Sequence, residues 1–252
     1  MANRGSLRSP GEIRSMFDRI ARRYDLMNRL MTFGRDVAWR RQAAREALVS
    51  SPRYVLDVAT GTADLALELS RQGAARVVAL DFSLAMLRLA ARKCAATRRP
   101  LTLLCGDAMR LPFRDASLDA CTIAFGLRNL PDYREALAEF ARVLRPGGRL
   151  VVLETTPLRG PLAPLLRLYF ERVVPWLGGL ISGDLDAYRY LPRSTAAFPA
   201  ADELADLLHT VGFSPVNYRK FMFGTVALHI AIRAAAPSEL AEAEAGASQR
   251  RV

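Results

Sequence analysis

Three short apolar runs in the first half of the 252-residue chain end on or beside a carboxylate. Asp57 follows "YVL", Asp81 closes "RVVALD" and Asp107 closes "LTLLCGD". The first run passes through the small-residue loop "ATGTAD", whose Asp64 opens a helix-like pattern. A strand, a tight loop and a helix in that order form the usual seat for a nucleotide-like ligand at the carboxyl edge of a sheet. A loop built for diphosphate wants GxGxxG, so that backbone amides close on the phosphates. Here Gly61 is the only glycine of the loop, and Asp57 and Asp64 set negative charge where a phosphate would sit. A cationic ligand without phosphate suits the site better, and S-adenosylmethionine, with its sulfonium and ammonium, is one. Asp81 lies about 20 residues past the loop, where a carboxylate accepts from both ribose hydroxyls, a role equally suited to NAD. Asp107 is placed to accept from an adenine amine while the Ala108 amide faces the ring. Aspartate is also favoured in caps and turns, but acids at three successive strand ends are hard to assign to turns.

These residues need a scaffold that delivers strand ends to one edge. From Tyr54 onward, apolar runs alternate with helix-period segments. Strands are expected at "YVLDVA", "RVVALD", "LTLLCGD", "LDACTIAF" and "GRLVVLET". Helices are expected over Asp64–Arg71, from a Ser83 cap to about Cys94, and over "YREALAEFARVL", closed by "RPGG". That alternation predicts an α/β fold with a mostly parallel sheet covered on both faces. Ahead of it, Ile13, Phe17, Ile20 and Ala21, then Met27, Leu30 and Met31, mark an amphipathic N-terminal segment. After Thr155 the rhythm stops at an apolar, helical insertion (160–181) and the polar "SGDLDAYRY". It resumes with a helix over Asp202–Thr210 and a strand pair, "SPVNYRKFMF" and "TVALHIAIR", joined at Gly224. The expected organisation is one domain over 1–233, with an N-terminal helical segment (1–50), a substrate-side insertion (157–200) and a disordered tail (234–252).

Composition bounds the function. The chain is 51% hydrophobic and carries a formal charge of +11, almost all of it arginine, since Lys93 and Lys220 are the only lysines. The arginines are scattered, with no clustered face or aromatic platform, which argues against nucleic acid as a partner. Cys94, Cys105 and Cys121 form no CxxC pair and read as small buried hydrophobes in a reducing compartment. No metal cluster is expected. The N-terminus lacks a signal-peptide core and the insertion is interrupted by Arg167, Glu171 and Arg172, so a cytoplasmic protein is expected.

With these residues placed, the chain resembles the class I S-adenosylmethionine-dependent methyltransferases. More narrowly, it is similar to the quinone C-methyltransferases of the UbiE/MenG/Coq5 family from about Met16 to Arg233. Three stretches carry the resemblance: "YDLMNRLMTFGRDVAW", which departs at Thr32 and Asp36, then "FGLRNLPD", and "RVLRPGGRLVVLETT". It implies cofactor contacts at Thr62, Asp81, Asp107, Ala108 and Ala124, beside the loop residues Asp57 and Gly61. It also implies methylation of a ring carbon on a prenylated quinol. "VATGTAD" and "LETT" look more like the menaquinone members, which turn demethylmenaquinol into menaquinol, than the ubiquinone ones. A ubiquinone-pathway benzoquinol, another small molecule or RNA is the alternative acceptor, and an NAD-dependent dehydrogenase the competing enzyme.

Two histidines and no nucleophile constellation suit a reaction run by positioning. Arg128, just past the fourth strand, is the catalytic candidate, a permanent cation for a phenolate, unless it only pairs with Asp132 or caps a helix. Tyr24, Asp25, Tyr188 and Asp186 are candidates for quinol contact. His229 reads as a satisfied strand histidine. The prenyl tail must come from a membrane, so the insertion, with Leu165, Leu168, Phe170, Val173, Trp176 and Leu177, is expected to form a lid. With the N-terminal helix it would touch the inner face of the bilayer, and self-association into a homo-oligomer would be compatible with it.

Overall fold

The computed structural model describes residues 5–99, 101–159, 163–182 and 184–235. Two helices precede the sheet. Helix α1 (Pro10–Met31) starts at a capping box, with the Ser9 hydroxyl accepting from the Glu12 amide and Glu12 accepting from the Ser9 amide. Its buried stripe is Ile13, Met16, Ile20, Met27 and Met31. The left-handed Gly34 then lets the chain turn into α2 (Arg35–Leu48), which lays Trp39, Ala43, Ala44 and Ala47 on the sheet.

The alternation follows as the periodicity predicts: β1 (Tyr54–Val58), α3 (Asp64–Arg71), β2 (Arg76–Asp81), α4 (Leu84–Thr97), β3 (Thr102–Cys105), β4 (Leu118–Ala124), α5 (Tyr133–Val143) and β5 (Leu144–Thr155). The order across the sheet is β3-β2-β1-β4-β5-β7-β6, where β6 (Phe213–Phe221) and β7 (Val226–Arg233) form the antiparallel edge. The first five strands are parallel, and the order reverses between β1 and β4. Their carboxyl ends part there and leave the crevice that the strand-end aspartates require. "RPGG" is not simply a helix stop: β5 already begins at Leu144, and a register shift against β4 absorbs the turn at Gly147.

The insertion is helical, as α6 (Ala163–Leu168), one π-type turn over Tyr169–Val173, and α7 (Val174–Ser182). The polar stretch beyond it is not irregular, however. It forms α8 (Leu185–Ala197), capped by Asp184, ahead of α9 (Ala201–Thr210). Pro192 inside α8 breaks the sequence signal, yet Ala187, Tyr188, Tyr190 and Ser194 still repeat at helical spacing on its buried face. That face packs with Val174 against the α1 stripe, so α1, α7 and α8 make a cover over the crevice. Residues 236–252, most of the expected tail, lie outside the described residues. Among the described helices none is long and apolar enough to cross a membrane.

Candidate active site

The loop after β1 solves the shortage of glycine with alanine. Ala59, Gly61 and Ala63 all take left-handed backbone, at φ of 49°, 57° and 67°. For the alanines this costs about 1 kcal/mol each. A Cβ at Gly61 would meet only Tyr24 Cε1, at 3.9 Å, so glycine serves the dihedral there rather than the space. The Gly61 amide donates to Asp81 Oδ2 (2.7 Å) and the Ala63 amide to the Thr60 carbonyl (2.9 Å). These two loop amides are thus not free to close on a diphosphate.

Over this loop lies a cavity of about 930 Å³, its open mouth included. Gly61, Asp81, Asp107, Ala108 and Ala124 all border it, with Phe17 and Tyr24 of α1 as its cover. Asp81 also accepts from the Ser83 amide (2.9 Å), and burial pushes its pKa up despite these donors. Asp107 accepts from the Met109 amide at 2.9 Å.

Five expected residues are placed elsewhere. Asp57 does not reach the main cavity. It is buried under the loop, accepting from the Thr60 and Thr122 hydroxyls at 2.6 Å each, and burial pushes its pKa up to about 6. Asp64 faces Lys93 Nζ at 2.6 Å and Arg29 at 3.3 Å. Burial works against its charge, but Lys93 together with Arg40 and Arg29 outweighs it and holds the pKa below the ordinary range. The repulsion of phosphate expected from Asp64 is therefore cancelled locally, and the carboxylates that face the ligand are Asp81 and Asp107. Thr62 is buried, its hydroxyl donating to Asp25 Oδ1 (2.6 Å) and accepting from Lys93 (2.8 Å). Asp25 is correspondingly held by Thr62 and Lys93 (2.6 Å) and borders neither large cavity, contrary to its expected contact with the acceptor. Asp186 is a surface residue paired with Arg8.

A second cavity, of about 850 Å³, adjoins the first, and Phe17, Tyr24 and Phe125 border both. Its walls are largely apolar: Met16, Ile20 and Met31 of α1, Trp39, Phe170 of the insertion, and Tyr188 and Tyr190 of α8. Burial pushes the Tyr24 phenol up, away from ionisation. Into this cavity comes Arg128. Its partner is Glu154 at the end of β5, not Asp132, which caps α5 instead. Arg128 Nη1 donates to Glu154 Oε1 and to the Phe125 carbonyl, both at 2.7 Å. Burial opposes the guanidinium charge, and Glu154 with Tyr24 and Tyr190 more than restores it. The buried Nε has no hydrogen-bond partner among the described residues.

Other polar atoms are left open nearby. Asn129 Oδ1, beside the first cavity, is buried without a partner among the described residues, as is Arg40 Nη1 in a small recess shared with Gly61 and Asp57. The Arg40 guanidinium otherwise rests on the Phe125 ring, 5.1 Å from its centroid. An orphan acceptor and an orphan cationic donor beside a nucleoside-sized cavity fit a ligand bearing both an ammonium and a carboxylate, as S-adenosylmethionine does. Sequence spacing missed Lys93, Arg40 and Glu154, although the strand-end rule applied to "VVLETT" would have found Glu154. His229 is a buried strand residue but only half satisfied: Nε2 pairs with the Ala201 carbonyl (2.8 Å), Nδ1 has no partner among the described residues, and burial lowers its pKa to about 4. Of the cysteines only Cys121 is buried. Cys94 is half-buried and Cys105 exposed, because β3 lies at the sheet edge.

Similarity to known proteins agrees with this geometry. A relative from Thermus thermophilus named demethylmenaquinone methyltransferase is 52% identical over 220 residues, 86% of this chain and 100% of its own. One of the same name from Deinococcus radiodurans is 49% identical, covering 86% and 91%. A crystal structure of a SAM-dependent methyltransferase from Thermotoga maritima shares the fold with a TM-score of 0.64 at 20% identity, over 88% of this chain and 99% of that one. The model of the ubiE/COQ5 methyltransferase family matches residues 6–233, and the chain belongs to that family as an S-adenosylmethionine-dependent C-methyltransferase with a class I methyltransferase fold.

Proposed function

We propose that the chain methylates a ring carbon of a prenylated quinol, with demethylmenaquinol as acceptor and menaquinol as product. The observation that carries this is the pair of cavities meeting at Phe17, Tyr24 and Phe125, the second apolar and holding one buried arginine. In the first cavity Asp81, Asp107, Ala108, Gly61 and Ala124 would contact the cofactor, and Arg40 and Asn129 would take its charged end. Bound there, S-adenosylmethionine supplies an electrophilic methyl group. Arg128 would hold the quinol oxygen as phenolate through its open Nε, which raises electron density on the neighbouring ring carbon. Tyr24 and Tyr188 would fix the ring plane, and the apolar wall excludes water. Holding two reactants in line supplies about 7–11 kcal/mol without a metal or covalent step. Purified protein given labelled S-adenosylmethionine is expected to label reduced demethylmenaquinone in preference to a demethylated benzoquinol, and Arg128→Ala to lose most of that transfer. Label on RNA but on neither quinol would replace this reading.

The acceptor's tail resides in a bilayer, and we place the protein at the inner membrane face, docked through its cover. Leu168, Val173, Trp176 and Leu180 of the insertion are exposed, Trp176 by 65%. Phe33, also exposed, stacks on Tyr169 at 6.1 Å and joins the end of α1 to this apolar patch. Exposed Arg14, Arg22, Arg172, Arg189 and Arg193 lie on the same elements. Near an anionic surface each is worth about 1 kcal/mol. Binding to anionic liposomes, with a blue shift of Trp176 fluorescence, is expected at low salt and lost at high salt. Equal binding to neutral and anionic vesicles would remove the docking surface.

A further inference from the structure

A third cavity, of about 890 Å³, lies beside the acceptor cavity and shares four wall residues with it: Thr155, Phe170, Leu191 and Thr225. We propose that it receives the polyprenyl tail of the acceptor, a reading that rests on the quinol assignment above. Its wall is rich in threonine, yet the hydroxyls are turned to the protein. Thr155 and Thr195 pair with each other at 2.9 Å, Thr156 donates to the Gly224 carbonyl, and Thr225 donates to the Met222 carbonyl at 3.0 Å. None of the buried side-chain atoms without a partner belongs to this wall. With these hydroxyls engaged, the inner wall offers a polar ligand few partners to replace its hydration, whereas a branched hydrocarbon gains by leaving water. What faces the space is mostly carbon, from threonine methyls, Pro157, Leu158 and Pro192, with Glu171 among the polar remainder.

The position of the rim agrees. Glu171 and Ala196 border the cavity and are exposed, so it opens to solvent beside the insertion. Glu171 sits between Leu168 and Val173, two of the exposed apolar residues proposed to meet the bilayer. A tail running from the ring through this cavity emerges on that face, so the head group can be methylated while the far isoprenes stay in the membrane. The distinction from the head-group pocket is sharp. Leu158 and Ala196 border the third cavity and not the second.

The test is Leu158→Trp and, at the exposed rim, Ala196→Trp, each assayed on two reduced demethylated naphthoquinones. One carries a single isoprene and the other a long polyprenyl chain, both presented in the same detergent. The indole narrows the tail path and leaves the ring site untouched. The kcat/KM for the long-tailed quinol is expected to fall about tenfold or more, chiefly through KM, while the short-tailed one changes by less than about twofold. Turnover of the short-tailed quinol also shows that each variant folds. Equal effects on both quinols, or none on either, would overturn the tail assignment. Failure of the wild type to methylate either quinol would instead refute the quinol reading itself, a result visible without any variant.

Discussion

Glu154→Ala is expected to destabilise the protein by about 3–5 kcal/mol, far more than one lost surface contact. The pair it breaks is almost wholly withdrawn from water, with side-chain exposures of 8% for Arg128 and 1% for Glu154 at a separation of 2.7 Å. Removing the carboxylate strands a guanidinium against an apolar cavity wall. Arg128→Met strands the carboxylate instead, though the Thr155 amide still donates to it at 2.7 Å, so the loss should be smaller. The double variant Arg128→Met/Glu154→Met separates structure from chemistry. With both charges gone and comparable volume restored, stability should return to within about 1–2 kcal/mol of wild type. Methyl transfer should not return, and a deficit of about 10²–10³-fold is expected when a charge that stabilises a developing anion is absent. Urea denaturation and single-turnover transfer read the two quantities separately. Recovery of turnover in the double variant would remove Arg128 from the chemistry, and an unaffected Glu154→Ala would show the pair to be solvated.

The parts of this site that sequence makes legible are those that topology alone positions. A carboxylate closing a parallel strand beside the switch point has nowhere to go but the crevice, and Asp81 and Asp107 border the cavity for that reason. Asp57 fails the same inference, and Asp64, Thr62 and Asp25 depart from their own separate expectations, because partners remote in sequence turn them away. Thr122 is 65 residues from Asp57, and Lys93 is 29 residues from Asp64. No spacing rule reports such encounters. Arg128 was legible as a cation near the reacting centre, but not its neutralisation by Glu154, which follows from β4 and β5 lying side by side. The strands and most helices emerge from periodicity. Helix α8 does not, since its proline and polar residues look like a loop until α1 is present to bury Tyr188 and Tyr190.

Burial of Asp57 and His229 has opposite consequences for stability in acid, and their separation is the second large effect. His229 is 1% exposed, and its pKa falls from an ordinary 6.5 to about 4 because burial disfavours the imidazolium. Between those values the unfolded chain binds a proton that the folded chain refuses, so stability is lost as pH falls from about 6.5 to 4. Asp57 is equally buried, and its pKa rises from 3.8 to about 6. Here the folded chain binds the proton first, so stability is gained as pH falls from about 6 to 3.8. Each contribution is about 3 kcal/mol. They oppose one another over nearly the same window, and Asp81, raised in the same direction by burial, adds to the Asp57 side. The wild type should therefore be less sensitive to mild acid than either group implies. Asp57→Asn removes one arm, and its stability should fall about 3 kcal/mol further than that of wild type between pH 7 and pH 4. His229→Gln removes the other and should gain on wild type over the same interval. Surface carboxylates held low by arginine, such as Glu68 and Glu139, titrate alike in all three proteins and cancel in the differences. Urea denaturation at pH 7, 5 and 4 measures them, and parallel pH profiles for wild type and Asp57→Asn would mean that Asp57 is hydrated rather than sealed beneath the loop.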